Sequence, residues 1–351
     1  MGVWYTTLES VRRSLDYQET ARNNVLVEEC LETGSRNTES TLHRRFYPEV
    51  ATRYFDWPSV QYIGTPSYRL WLGANELISL TTLANGGLTI SPANYNLRNS
   101  VGREEPPYTF IELNQALGSV FTTTAGTAQR ALGLTGVWGY DLNETPAGAA
   151  AEAMDASETG FDVTNSAALG TGSLLRVDSE RMLVTSRDML TTGQSLIGTV
   201  AATNAAQTLA VTDGTLYFVG ETLLLDAERM IVTDISANNL IVKRAIDGTV
   251  LAAHTNSVIF APRRLNVTRG ALGTTAATHL TAASLVRHAY PGPVASLSLA
   301  YTIDELQQRS SGFARTVGEG ENAREATGRG LAKLKREAIE SHGRQARNRA
   351  V

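Results

Sequence analysis

The chain has 351 residues, a net charge of −4, 42% hydrophobic and 19% charged residues, thirty glycines and a single cysteine, Cys30. Its length suggests two or three packed units. The charge gives no general attraction to DNA or acidic membrane, and one cysteine excludes an intrachain disulfide framework and suits a reducing compartment. No apolar run approaches the ~18 to 20 residues needed to span a bilayer, and the first residues become charged too soon for a signal-peptide core. We expect a soluble protein made in a cytoplasm.

The spacing of Thr6 and Glu9 predicts a capped helix whose apolar stripe is Leu8, Val11 and Leu15. A second helical stretch begins near Thr20, with Val27 and Leu31, then Leu42 and Phe46, at four-residue steps. Gly34 is a candidate interruption and Pro48 a stop. Beyond Pro48 the pattern turns to strands at Ala51 to Trp57, Tyr68 to Leu72 and Leu77 to Leu83. Asn85-Gly86-Gly87 is a hairpin signal. Tyr108 to Leu113 and the run around Gly136-Val137-Trp138-Gly139 read as further strands.

The middle of the chain contains a repeat. Residues Phe161 to Ser186 align without gaps to Leu209 to Asp234, at an offset of 48, so that Asp178-Ser179-Glu180-Arg181-Met182 returns as Asp226-Ala227-Glu228-Arg229-Met230. A second match, at an offset of 25, pairs Val242, Arg244, Gly248, Thr249 and His254 with Val267, Arg269, Gly273, Thr274 and His279. The halves run first, first, second, second, which is the order of one copy nested in a loop of the other. Each copy reads as a small β module with a turn at Asp178 or Asp226. Asp178 and Glu180, with Asp226 and Glu228, have the types of metal ligands, but Asp also suits a turn and Glu-Arg an exposed strand. The repeated histidines, His254 and His279, are best explained as packing residues copied by duplication. We place this inserted β region at 160–291.

After Pro293, residues Ala295, Leu299, Ile303 and Leu306 form a helical stripe that Gly312 stops. This helix is expected to return to the N-terminal helices. The segment from Gly318 to Gly330 reads as a flexible link. From 329 to 351, seven basic residues (Arg329, Lys333, Lys335, Arg336, Arg344, Arg347, Arg349) face two acidic ones, a net of +5 that leaves the rest of the chain at −9. Leu331, Leu334 and Ala338 give this tail a narrow apolar edge. No G-x-S-x-G, H-E-x-x-H or Walker loop occurs. Cys30 sits in a helical stretch without a neighbouring His and reads as a structural thiol.

The N-terminal third resembles the head-to-tail connector (adaptor) family of tailed bacteriophages. Ser35-Arg36 through Leu42-His43-Arg44-Arg45-Phe46-Tyr47-Pro48 is similar to that family's helix ending in R-F-Y-P, and Ala51-Thr52-Arg53-Tyr54-Phe55 to the strand that follows. Leu70-Trp71-Leu72, Leu77-Ile78-Ser79-Leu80, Asn94-Tyr95-Asn96-Leu97, Pro107-Tyr108, Phe110-Ile111-Glu112-Leu113 and Thr135-Gly136-Val137-Trp138-Gly139-Tyr140 resemble later segments, in the family's order. The helix from Val294 resembles its last core helix.

The resemblance implies a helical connector core with a small β part; this sequence departs from that compact pattern through the inserted all-β region of two nested modules, and with its extended basic C-terminal arm the whole reads as an α+β fold. The corresponding segments are 1–159, 160–291, 292–317 and 318–351. It implies a virion protein of the neck, assembled as a homo-oligomeric ring of about twelve copies beneath the portal protein. It implies that the ring receives a stopper or tail-terminator protein, passes genomic DNA through its lumen without specific binding, and uses no membrane, cofactor, metal or catalytic residue. An acidic body suits a channel in which DNA must slide, because Lys or Arg contacts to phosphate would hold it. Arg329, Leu331, Lys333, Leu334, Lys335, Arg336, Arg344, Arg347 and Arg349 become the candidates for portal contact. A peripheral tail or baseplate protein that binds a host surface through its β modules is the alternative.

Overall fold

The computed structural model describes residues 2–15, 21–58, 67–100, 104–123, 126–310, 316–317, 324–325 and 329–344. Over these residues the protein is mixed α+β, with four helices and several antiparallel sheets, the largest of ten strands, and it is mostly β in its middle. It divides into two units, one of residues 1–43, 144–271 and 275–351, the other of residues 44–143 with 272–274. Residues 44–143, grouped in sequence with the helices, cluster by themselves because their strands bury their apolar faces on one another. None of the described helices is long and apolar enough to cross a membrane.

Helix α1 (Leu8–Leu15) starts one residue later than the Thr6–Glu9 spacing predicts. Thr7 is the cap, its Oγ1 accepting the Ser10 N–H at 3.3 Å, and Glu9 is left for other partners. Helix α2 (Ala21–Leu42) runs unbroken through Gly34. A Cβ at Gly34 would lie 2.3 Å from Thr302 Oγ1 on α3 (Gly292–Ser310), so the glycine allows a close crossing rather than a break. His43, at φ 53, ends α2 in the left-handed region, and Phe46 therefore lies beyond the helix that carries Leu42.

The buried side of α3 is Val294, Leu297, Ser298, Thr302 and Leu306, not the expected stripe through Ala295, Leu299 and Ile303. The small residues Ser298 and Thr302 face Gly34, and closeness of approach, rather than side-chain size, orients this helix. Gly312 lies outside the described residues. Trp4, Leu8, Val11, Val27, Cys30, Leu31 and Leu306 make one core from α1, α2, α3 and the preceding segment. The short strands β20 (Thr316–Val317) and β21 (Arg324–Glu325) pair with each other. Helix α4 (Arg329–His342) then packs on α2 and α3.

In the other unit, β1 (Glu49–Phe55), β7 (Leu132–Trp138), β3 (Leu77–Asn85) and β4 (Leu88–Ile90) form a sheet in the order β1-β7-β3-β4. The Asn85-Gly86-Gly87 signal is the β3–β4 hairpin, Asn85 facing Leu88, with φ 58 and 89 at the two glycines as a two-residue turn requires. A three-stranded sheet, β2 (Arg69–Trp71), β6 (Phe110–Leu113) and β5 (Tyr95–Arg98), lies in the same unit, and Phe55, Leu70, Leu72, Leu77, Ile111, Leu132 and Trp138 share its core.

The ten-stranded sheet contains β8 (Glu144–Ala149), β9 (Gly160–Asp162), β10 (Leu174–Val177), β11 (Glu180–Ser195), β13 (Thr208–Ala210), β14 (Thr222–Leu225), β15 (Glu228–Ser236), β16 (Asn239–Lys243), β18 (Val258–Thr268) and β19 (Ser284–His288). The pair β12 (Thr199–Val200) and β17 (His254–Thr255) stands apart from it. It curls into two closed barrels that share β11 and β18. The outer barrel takes β8, β19, β10, β11, β18 and β9, and closes where the Ala151 N–H donates to Asp162 O at 2.8 Å and the Thr164 N–H to Ala149 O at 3.0 Å. The inner barrel takes the far ends of β11 and β18 with β14, β15, β16 and β13, and closes where the Ile197 N–H donates to Ala210 O at 2.8 Å. Closure leaves no long free edge. The outer barrel begins at β8, earlier than the expected boundary at Gly160, because the repeat match does not reach that strand.

Strand registers repeat with the sequence offsets. Leu174↔Leu183 in the outer barrel returns as Thr222↔Ile231, and Phe161↔Leu265 as Leu209↔Leu240. Even a bulge is copied, between Val184 and Ser186 and between Val232 and Asp234. Each barrel has its own core: Phe161, Leu175, Met182, Leu265 and Leu285 belong to one, Leu209, Leu223, Met230, Leu240 and Ile259 to the other. Ser195 pairs with Val258 where the chain enters and leaves the inner barrel. Replacing residues 196–257 by Asn-Gly should therefore leave a protein that melts cooperatively with a β-type circular dichroism spectrum. A non-cooperative melt of that variant would refute the independence of the outer barrel.

Candidate functional site

The polar residues that recur in both copies converge in each barrel. Asp178 and Asp226, at φ 50 and 51, make the turns that lead into Glu180 and Glu228. Glu180 receives Arg269 Nε and Nη2, both at 2.8 Å, the Gly270 N–H at 2.8 Å and the Ala277 N–H at 2.9 Å. His279 completes the set, its Nε2 2.9 Å from Glu180 Oε2 and its Nδ1 2.7 Å from Asp178 Oδ2. The inner barrel repeats every one of these contacts: Arg244 Nε and Nη2 at 3.0 and 2.7 Å, the Ala245 and Ala252 N–H groups at 3.0 and 2.9 Å, and His254 at 2.9 Å from Glu228 and 2.7 Å from Asp226.

The glutamates and histidines of both clusters are buried while Asp178 and Asp226 stay exposed at the turns, and Glu180 at 1% and Arg181 at 6% exposure correct the reading of Glu180-Arg181 as an exposed strand. The reason is compensation from far along the chain, since the guanidinium that neutralises Glu180 comes from residue 269. Burial acts to raise the Glu180 carboxyl, but the bonds from Arg269, His279 and the two backbone N–H groups outweigh it and hold the group at about 2, against an ordinary 4.5. Glu228 is lowered in the same direction for the same reasons. A carboxylate with its lone pairs engaged in this way is poorly placed to take a metal or a substrate proton. No group of three potential metal ligands occurs among the described residues. What the clusters do is tie the loop after β16, and its counterpart after β18, to the neighbouring turn.

Helix α1 is anchored to the outer barrel by a third carboxylate, that of the half-buried Glu9. Burial pushes Glu9 up, yet Arg187 at 2.8 Å and the Thr171 N–H at 3.0 Å hold it below its ordinary range. Cys30 is fully buried and its thiol is pushed up to about 11 by burial, which makes it a poor nucleophile.

The basic tail residues fall on α4 and just beyond it. Leu331 and Leu334 are half-buried and Ala338 is buried, so the apolar edge read from the sequence is the side that packs. Lys333, Lys335 and Arg336 are exposed, with Lys333 3.7 Å from Glu337. The Arg344 N–H donates to Leu42 O at 3.0 Å. Arg329 is the first residue of the helix, and Arg347 and Arg349 lie outside the described residues. The structure thus brings Lys333, Lys335 and Arg336 onto one ordered, solvent-facing element.

The Glu–Arg pairs escaped the sequence reading, although the signal was present: Glu, Arg and His all return in both copies, and a duplicated polar residue in a β module points to a buried partner. No protein family, characterised protein or solved structure matches the chain.

Removing one member of a buried pair leaves the other charge uncompensated. Glu180→Gln and Glu228→Gln should each cost about 3–5 kcal/mol in urea unfolding; a loss below about 1 kcal/mol would show the clusters to be incidental. Because the folded-state value of Glu180 lies below its unfolded one, its contribution is complete above pH ~4.5 and is lost as pH falls toward ~2. Over that window the stability of Glu180→Gln should vary less with pH than that of the wild type, as measured by unfolding at successive pH values.

Proposed function

We infer that the chain is a structural subunit of a tailed-phage virion, the head-to-tail adaptor that forms a ring beneath the portal. The observation that carries this reading is the helical core. Helices α1 and α2 share it with α3, although the two barrels intervene in sequence. A helical core that closes on itself is what the resemblance implies; the barrels inserted between its helices depart from the family's compact pattern and leave that core in place. Helix α4 supports the same reading, since it packs on that body and turns Lys333, Lys335 and Arg336 outward. An exposed basic helix suits docking on an acidic protein surface, and its strength falls with salt. The ring, its stoichiometry, the portal and the next neck protein belong to this proposal.

The twin closed barrels favour a second reading, a peripheral tail or baseplate protein that contacts a host surface. Labelling the chain in intact particles and imaging them separates the two: label at the neck supports the adaptor, and label at the distal tail refutes it. A triple substitution, Lys333→Glu, Lys335→Glu and Arg336→Glu, should leave thermal stability nearly unchanged because all three are exposed. It should weaken attachment to portal-containing heads by roughly tenfold or more; unchanged attachment would remove α4 from the contact.

A further inference from the structure

At one end of the outer barrel stands an arginine that no described residue answers. On β19, Leu285 points into the barrel core, and Arg287, two residues on, takes the same face. It lies in register with Leu175, also a core residue. Its guanidinium Nε is buried without a hydrogen-bond partner, and Arg287 makes no ion pair among the described residues. Arg287 lines a cleft of about 200 Å³ with Trp4, Thr7, Ser10, Ser173 and Tyr290, and none of the lining residues is acidic. Glu144, which faces the adjacent His288 across β8 and β19, is bonded by Arg176 at 2.8 Å.

The inner barrel shows that the scaffold does not require this arginine. Leu225 pairs with Ile259 there as Val177 pairs with Leu285 in the outer barrel. Ala261 therefore occupies the place of Arg287, and it is fully buried in the inner core. A guanidinium set partly into a barrel end without a partner costs stability. Where a twin scaffold does without it, the residue is more readily explained by a ligand than by packing.

We propose that this barrel mouth binds a single carboxylate carried by an acidic peptide segment of a partner protein. The planar fork of Arg287 matches the two oxygens of a carboxylate. Thr7, Ser10 and Ser173 line the same space, the first two hydroxyls bonded to each other at 2.8 Å and that of Ser173 accepting the Gly170 N–H, and Trp4 and Tyr290 offer apolar walls for the carbon stem of an acidic side chain. The volume lies below the usual range for small-molecule pockets, which fits one inserted side chain.

Calorimetric titration of the full chain at low salt tests this, with a capped tripeptide bearing a central glutamate, the same peptide with glutamine, and inorganic phosphate. The glutamate peptide should bind roughly tenfold or more tightly than the glutamine peptide. Arg287→Ala should abolish that preference, and Arg287→Lys should retain part of it. Without ligand, Arg287→Ala should melt at or above the wild-type temperature, because no bond is lost. Equal affinity for the two peptides would overturn the proposal, as would tighter binding of phosphate than of the glutamate peptide. A fall in melting temperature for Arg287→Ala, or failure of that variant to fold, would make the arginine structural and overturn it too.

Discussion

Each barrel is held together at one point by a buried carboxylate bonded to a guanidinium from the other half of its own repeat. Glu180 finds Arg269 across 89 residues and Glu228 finds Arg244 across 16. In a medium of low polarisability such a pair gives little net stability compared with hydrophobic residues, but either charge alone is severely penalised. The pairs therefore act on specificity. Leu, Val and Met side chains would tolerate several ways of laying the strands together; the carboxylate, with two backbone N–H groups, an arginine and a histidine converging on it, tolerates one.

The helices are governed by a different constraint, closeness. Gly34 on α2 meets Ser298 and Thr302 on α3 with no room for a methyl group. That contact rotates α3 relative to the face its larger apolar residues would select, and it places Leu306 with Trp4, Leu8 and Val11 in one core. Glu9, released from the helix cap by the one-residue shift to Thr7, is then able to join α1 to Thr171 and Arg187 of the outer barrel.

Much of the architecture was legible in the sequence. The nested order of the repeat halves matches the strand registers, and the Asn85-Gly86-Gly87 turn and the apolar edge of α4 are found where the residues indicated. These are local or periodic signals, which survive translation into structure. What was not legible involves partners distant in the chain. Gly34 reads as a breaker unless the helix it will touch is known. Glu180-Arg181 reads as exposed unless Arg269 is placed beside it. Ala261 and Arg287 reveal their equivalence only through strand pairing, because a one-residue difference in the preceding loop hides it from the constant offset.

The shared strands β11 and β18 have a bearing on how the chain closes on itself. Measured along the sequence, β10 and β19 of the outer barrel are separated by more than a hundred residues, which would make their pairing entropically costly. Ser195 and Val258 are neighbours once the inner barrel has formed, so the intervening segment then counts as little more than a hairpin turn. The inner barrel is contiguous and complete before β19 is reached. Local topology thus favours an inside-out order of assembly, in which the guest module brings together the ends that its host needs.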